Sequence, residues 1–330
     1  MKIIAFGCRD EELEYFHQLQ EQYKDICDIE VLQEHLGPET AIKAKGADAV
    51  SIEGQCKAGR DVLHQLREYG ISYLSTRTVG YNNIDVAAAN ELGIHCANVT
   101  YSPYGVANYT VLLILASIRK FMHIMVRSGV LDYSLRGVEG EELQTMTVGI
   151  VGMGRIGQTV AKCLSGFGCR IITYTPHPNE RTRALAEPVS LEELYRTADI
   201  ITLHTPLTVE NYHMIDAATI AKMKDGAYLI NTSRGELMDT NALINAIESG
   251  KLGGIAVDTF ENERGVVHKD HEASPIQNRA MLTLKAYPNV LVSPHAAYYT
   301  KQAVKDMVTC SVEGLMAWLQ GKENSHEVHA

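Results

Sequence analysis

The sequence predicts an α/β fold in two domains, each built on a parallel sheet, and three observations carry that expectation. Short apolar runs alternate with amphipathic stretches along most of the chain. The alternation restarts at Thr147, after a long apolar segment. The restart opens on a glycine-rich turn set between a strand-like run and a helix-like one. Alternation of this kind implies parallel strands, because each crossover returns to the same end of the sheet through a helix.

The elements follow in order. In the first series, strands are expected at residues 3–6, 29–32, 49–52, 72–75 and 95–99, with helical patterns at 11–23 and 62–69 between them. A long helix is expected from Ser102 to about Arg127. Ser102 is the candidate cap, and Pro103 suits a first helical position because its missing N–H would be unpaired there anyway. The second series places strands at 147–151, 170–174, 200–204, 228–231, 254–258 and 290–293. A final helix at about 301–319 is expected to return to the first domain and make it discontinuous. The expected division is residues 1–101 plus 299–330 for one domain and 102–298 for the other. The polar tail from Lys322 is expected to fray.

Composition narrows the function. A length of 330 residues suits two ordinary domains, and 45% hydrophobic with 21% charged residues is a normal globular balance. The net charge of −10 argues against a nucleic-acid binder, which needs clustered cations to displace phosphate counterions. Seven cysteines lie scattered, with no Cys-x-x-Cys pair, so neither a metal site nor a disulfide framework is expected. Reduced thiols and the absence of a signal-like start point to a cytoplasmic protein. The longest apolar stretch, 111–118, is far short of the ~20 residues needed to span a bilayer, so no membrane partner is expected.

The chemistry begins at the turn Gly152-Met153-Gly154-Arg155-Ile156-Gly157. The G-x-G-x-x-G spacing is weak alone, but here it follows an apolar strand and opens an amphipathic segment. Gly152 permits the tight turn, Gly154 leaves room for a pyrophosphate, and Gly157 allows close helix packing. The helix N-terminus then offers free N–H groups to the anion. The acidic ribose ligand expected ~20 residues further on is missing. Thr175 holds that place, and His177, Arg181 and Arg183 follow it. NAD is therefore the expected cofactor, with NADP admitted as a second. The bland alternative is that these arginines only solvate a loop.

Three further segments end strands in the second domain: Asn231-Thr232-Ser233-Arg234-Gly235, Asp258-Thr259-Phe260-Glu261-Asn262-Glu263, and Ser293-Pro294-His295-Ala296-Ala297. Ligands in open α/β sheets bind outside the carboxyl ends of strands. A guanidinium there can hold a carboxylate, a histidine can give a proton to a carbonyl oxygen, and a carboxylate can orient that histidine. An isolated Arg or His would more often be structural. Their placement after a dinucleotide turn makes them candidates.

With these segments, the sequence resembles the D-isomer-specific 2-hydroxyacid dehydrogenase family over nearly its whole length. Further shared features are His204-Thr205-Pro206-Leu207, Tyr101-Ser102-Pro103 and Tyr298-Tyr299-Thr300. The likeness is strongest to its D-lactate dehydrogenases, the vancomycin-resistance branch in particular. The resemblance implies two Rossmann-like, flavodoxin-like domains with a cleft between them, a homodimer, and interconversion of pyruvate and D-lactate. It implies that Arg234 binds the keto acid, that His295 is the acid/base and that Glu263 is its partner. Val79 and Gly80 would offer N–H groups to the substrate carboxylate, and Tyr101 and Tyr298 would line the side-chain pocket. Asp258 would meet the nicotinamide end of the cofactor. Arg155, Ile156, His204, Thr205, Pro206, Thr232 and Ser233 complete the expected cofactor-binding set, although His204 also reads as a strand-end structural residue. Departures from the family are Thr175, Tyr298 where many lactate enzymes have Phe, and Asn108 where an acidic residue is usual. Two alternatives stay open: a larger 2-keto acid as substrate, or a nucleotide-sensing, corepressor-like scaffold.

Overall fold

The computed structural model describes residues 1–329. The chain divides into two compact units, Met1–Ser102 with the segment from Tyr299 onward, and Pro103–Tyr298. In chain order the first unit runs β1 (Lys2–Ala5), α1 (Asp10–Tyr23), β2 (Asp28–Val31), β3 (Ala49–Ile52), α2 (Arg60–Glu68), β4 (Tyr73–Thr76), α3 (Val86–Glu91) and β5 (His95–Ala97). The second contains α4 (Tyr104–Ile118), α5 (Phe121–Gly129), β6 (Thr147–Val151), α6 (Arg155–Leu164), β7 (Arg170–Tyr174), α7 (Glu180–Leu185) and β8 (Glu187–Pro188). It continues through α8 (Leu191–Thr197), β9 (Ile200–Leu203), α9 (Ala217–Lys222), β10 (Ala227–Asn231), α10 (Thr240–Glu248), β11 (Leu252–Val257), α11 (Arg279–Lys285) and β12 (Val290–Val292). The chain then returns to the first unit as α12 (Lys301–Leu319) and β13 (Glu327–Val328).

The α/β architecture with parallel sheets expected from the alternation is what forms. The first sheet has the order β13-β5-β4-β3-β1-β2, parallel except for β13. Helix α12 joins this unit because its apolar face (Val308, Val312, Leu315 and Met316) packs with Phe16 and Leu19 of α1 over Ile3 and Ala5 of β1. Thr300 caps α12 by accepting the Ala303 N–H. At the carboxyl end of β4, Arg77 is fully buried against Glu12, with Nε donating to the carboxylate at 3.0 Å. Burial pushes the Glu12 carboxyl up. The charge of Arg77 and its hydrogen bonds outweigh that and hold it below the usual carboxylate range.

The second sheet has the order β12-β11-β10-β9-β6-β7-β8, all parallel. The strand order reverses at β6, which has β7 on one side and β9 on the other. Ligand crevices open at such switch points. Strand β6 is apolar on both faces. Val148 and Ile150 pack with Val160 and Leu164 of α6, while Val151 joins Ile201, Leu203, Leu229 and Ile255 on the other side.

The structure corrects three local expectations. The helix expected from Ser102 to Arg127 is broken into α4 and α5, which meet at 66°. Lys120 adopts φ 49 between them, and the Ile118 carbonyl accepts the Glu141 N–H at 3.0 Å instead of a continuing helix bond. Gly140 makes that crossing possible, since a Cβ there would lie 2.7 Å from the Ile118 oxygen. Ser102 does not cap α4. Pro103 stands at the cap position, and the Ser102 N–H donates to Asp306 of α12 at 2.9 Å. The tail expected to fray from Lys322 instead forms a strand: Glu327 and Val328 pair antiparallel with Ala97 and Cys96 and cover the edge of β5. Among the described residues no single helix is long and apolar enough to cross a membrane.

Candidate active site

The glycine turn leads directly from β6 into α6. Gly152 has φ 97, and a Cβ there would stand 2.5 Å from the His204 carbonyl oxygen, so glycine is required both for the backbone and for the approach of the chain leaving β9. A Cβ at Gly157 would lie 2.0 Å from the Gly152 oxygen, which presses the start of α6 onto the turn. Gly154 is different: nothing lies within 4 Å of its Cβ position, and it is exposed. Helices α7 to α11 are each capped by a side chain, from Asn179, Ser190, Asp216, Asp239 and Asn278. Helix α6 has no side-chain cap. Its first-turn N–H groups and the open space at Gly154 fit a pyrophosphate. Arg155 and Ile156 open this helix. Thr175 follows β7 directly, partly exposed, and no carboxylate intervenes before Glu180 at the start of α7.

The segment after β10 is fixed by Asn231. This fully buried side chain donates to the Arg234 carbonyl at 2.7 Å and accepts the Ser233 N–H at 2.9 Å. Thr232 Oγ1 lies 2.9 Å from Thr110 Oγ1 of α4, and Ser233 Oγ donates to the Thr205 carbonyl at 2.6 Å. Arg234 is half-buried, with Nη1 donating to the Ser233 carbonyl at 2.7 Å. The next residue must be glycine, because a Cβ at Gly235 would stand 2.1 Å from the Phe260 carbonyl carbon. That approach brings the backbone after Arg234 against the segment that leads to Glu263.

Asp258 is fully buried at the end of β11. One carboxylate oxygen accepts the Ser293 hydroxyl at 2.6 Å and the Ala296 N–H at 2.9 Å, and the other accepts the Ala297 N–H at 2.8 Å. Its carbonyl accepts the His295 N–H at 2.8 Å. Asp258 thus anchors the loop after β12. That loop holds His295 at φ 56, a left-handed conformation uncommon for a non-glycine residue. His295 Nδ1 lies 2.7 Å from Glu263 Oε1, with the two side chains 29% and 24% exposed. An ionised carboxylate only accepts, so Nδ1 carries the proton and Nε2 is left for a ligand. Tyr298 meets the His295 ring edge-on, centroids 6.0 Å apart.

His204 extends the β6–β9 pairing through its N–H to the Val151 carbonyl at 2.8 Å, and its Nε2 lies 3.0 Å from Thr202 Oγ1. Burial pushes its imidazole down to about 3, which keeps it neutral. These contacts bear out the strand-end reading. Thr205 and Pro206 follow it, half-buried and exposed. Two histidines that sequence reasoning passed over also lie here. His213 Nε2 is 2.6 Å from Glu261 Oε1, and His268 Nε2 is 3.1 Å from the His295 carbonyl oxygen. Neither belongs to a motif, and no sequence signal marks them. A cavity of about 570 Å³ opens along the 262–280 segment, lined by Arg264, His271, Gln277 and Arg279 among others, and none of Arg234, Glu263 or His295 lines it.

In the first unit, three successive carbonyls of the loop after β4 are occupied. Those of Thr78, Val79 and Gly80 accept the Val99 N–H, Asn98 Nδ2 and Thr78 Oγ1 at 3.2, 2.8 and 2.6 Å. The N–H groups of Val79 and Gly80 donate to no acceptor among the described residues, as an anion-binding turn requires. Tyr101 is partly exposed just before the end of this segment.

Residues 111–297 match the family described as D-isomer specific 2-hydroxyacid dehydrogenase, NAD binding domain. An aromatic 2-oxoacid reductase of Clostridium sporogenes is 43% identical over 317 residues, 96% of this chain and 95% of that one. A D-specific alpha-keto acid dehydrogenase of Enterococcus faecium is 37% identical over 98% of both chains. Among solved structures, a D-lactate dehydrogenase from Treponema pallidum superposes with a TM-score of 0.91 at 31% identity, and a D-2-hydroxyisocaproate dehydrogenase with 0.91 at 36%, each covering 100% of both chains. The chain belongs to the D-isomer-specific 2-hydroxyacid dehydrogenases, NAD-dependent oxidoreductases.

Proposed function

We propose that the protein reduces a 2-oxo acid to the D-2-hydroxy acid, with His295 as acid/base, Glu263 as its orienting partner and Arg234 as the carboxylate clamp. The observation that carries this reading is the His295–Glu263 contact at 2.7 Å through Nδ1. Bound NADH supplies the hydride to the 2-oxo carbon. His295 delivers the Nε2 proton to the 2-oxo oxygen, and Glu263 stabilises the charged ring before transfer. The Arg234 guanidinium matches a carboxylate bidentately.

Pyruvate, with D-lactate as product, is the first substrate reading, supported by D-lactate dehydrogenases among the full-length relatives. A larger 2-oxo acid is the second. It is favoured by the 43% identity to the aromatic 2-oxoacid reductase and by the Tyr298 ring beside His295. The test is the catalytic efficiency with pyruvate, 2-oxoisocaproate and phenylpyruvate. A preference for pyruvate supports the first reading, a preference of ~10-fold or more for phenylpyruvate replaces it with the second, and no turnover of any of them refutes the reductase.

Thr175 carries no charge to repel a 2'-phosphate, and Arg181 and Arg183 are exposed nearby on α7. The protein therefore also accepts NADPH, and Thr175→Asp restores NADH preference by weakening NADPH binding. Equal discrimination in wild type and variant would remove Thr175 from that role. A homodimer is supported by the apolar residues Val126, Val130, Leu131, Tyr133 and Leu135, which are 67–85% exposed along α5 and the loop after it. A monomer mass by light scattering would refute it.

A further inference from the structure

His295 and His268 both adopt left-handed backbone, φ 56 and 59. Such a conformation in a residue with a full side chain persists only where its surroundings hold it. For His295 the holding groups are identifiable. Its N–H donates to the Asp258 carbonyl, and the next two N–H groups donate to the Asp258 carboxylate. Its carbonyl accepts from His268 Nε2 at 3.1 Å and from nothing else among the described residues. A carbonyl only accepts, so His268 Nε2 carries the proton.

His268 and Glu263 stand on one short turn. The Val266 and Val267 N–H groups both donate to the Glu263 carbonyl, at 2.9 and 3.1 Å, and fold the chain back on itself. One turn thus reaches His295 at two points, the ring through Glu263 and the main chain through His268. The rings of His268, His295 and Tyr298 lie 6.0–6.4 Å apart, centroid to centroid.

We infer that His268 is a positioning residue for His295: its N–H donated to the His295 carbonyl holds the acid/base loop in its left-handed conformation. The inference rests on the proposed role of His295 in the reduction. If the bond is lost, the loop after β12 samples other backbone states and Nε2 spends less time where a substrate oxygen would sit. The loss falls on turnover and not on substrate affinity, because His268 touches the histidine and not the carboxylate clamp. It is also independent of the substrate side chain.

Two variants separate the donor from the ring. His268→Gln keeps an N–H donor at a similar reach without the ring, and His268→Phe keeps a ring without the donor. Turnover and Michaelis constant are measured with each 2-oxo acid the wild type accepts, alongside amide hydrogen exchange at residues 295–297. For His268→Phe, turnover falls ~10-fold or more with every substrate, a size usual for lost orienting partners. Its Michaelis constants change little, and exchange at 295–297 accelerates. His268→Gln stays near wild type in both. Wild-type turnover and exchange in His268→Phe would overturn the inference. So would an equal loss in both variants with exchange unchanged, or an effect confined to the Michaelis constants of bulky substrates, which marks a pocket wall. If the wild type reduces no 2-oxo acid, the functional reading fails, and the exchange comparison still decides whether His268 grips the loop.

Discussion

Two glutamates separated by one residue each hold a histidine, and the two pairs differ in what they leave unpaired. Glu261 reaches His213 at 2.6 Å and Glu263 reaches His295 at 2.7 Å, so length does not separate them. Occupancy does. The second oxygen of Glu261 accepts both the N–H and the hydroxyl of Thr240 at the start of α10, and its carbonyl accepts Asn278 Nδ2. Glu261 thus ties three segments together, and its carboxylate already takes part in three contacts. The second oxygen of Glu263 has only the Phe260 N–H, at 3.4 Å. The rings are also used oppositely. His213 spends Nε2 on its glutamate and stacks on Tyr212 at 4.0 Å. His295 spends Nδ1, the nitrogen nearer the backbone, and keeps the outer one for a ligand. A His–Glu pair is thus defined by which nitrogen it leaves unused and by how many other donors its carboxylate serves.

The sharpest test replaces each histidine. His295→Ala lowers 2-oxo acid reduction by ~10²–10⁴-fold, the usual worth of general acid catalysis. His213→Ala keeps turnover close to wild type and lowers stability by about 1–3 kcal/mol, the cost of a lost hydrogen bond to a charged group. Steady-state rates and urea unfolding of both variants decide it, and comparable rate losses would erase the distinction. The glutamates come next. Glu263→Gln costs ~10–10²-fold in turnover with a near-constant unfolding midpoint, whereas Glu261→Gln moves the midpoint and spares the rate. The reverse pattern would exchange their roles.

The smallest effect concerns a third histidine. His204 is held neutral by burial, its folded value pushed down to about 3 from an ordinary 6.5. The unfolded chain therefore binds a proton that the folded one refuses. The stability is present in full above pH 6.5 and is lost as pH falls toward 3. Melting temperatures measured across that window decline less steeply in His204→Gln. Parallel declines would show that His204 does not contribute to the acid limb.

Much of this was legible in the primary structure. The strands of both series form where alternation places them, because a run of Val and Ile between turn residues has few alternatives in a parallel sheet. The glycine turn was legible because its spacing sits between a strand and a helix; Gly152 and Gly157 answer steric demands there, and Gly154 leaves open space. Strands β8 and β13 were not, since two-residue strands have no period to detect. The break between α4 and α5 was hidden for another reason: the group that ends α4 is the Glu141 N–H, over twenty residues further along the chain.

The sequence by itself determined the parallel α/β fold, the dinucleotide turn and the residue types needed for a 2-oxo acid, because these follow from local periodicity and from motifs a few residues long. The tertiary structure alone decided what else those residues touch. It turned Asp258 into the buried anchor of the His295 loop, gave Glu261 a histidine of its own in His213, and placed His268 on the His295 carbonyl. These roles come from loops that leave different strands and meet at the carboxyl end of one sheet. Which oxygen or nitrogen is still unpaired after they meet depends on every neighbour at once, and no spacing along the chain records that.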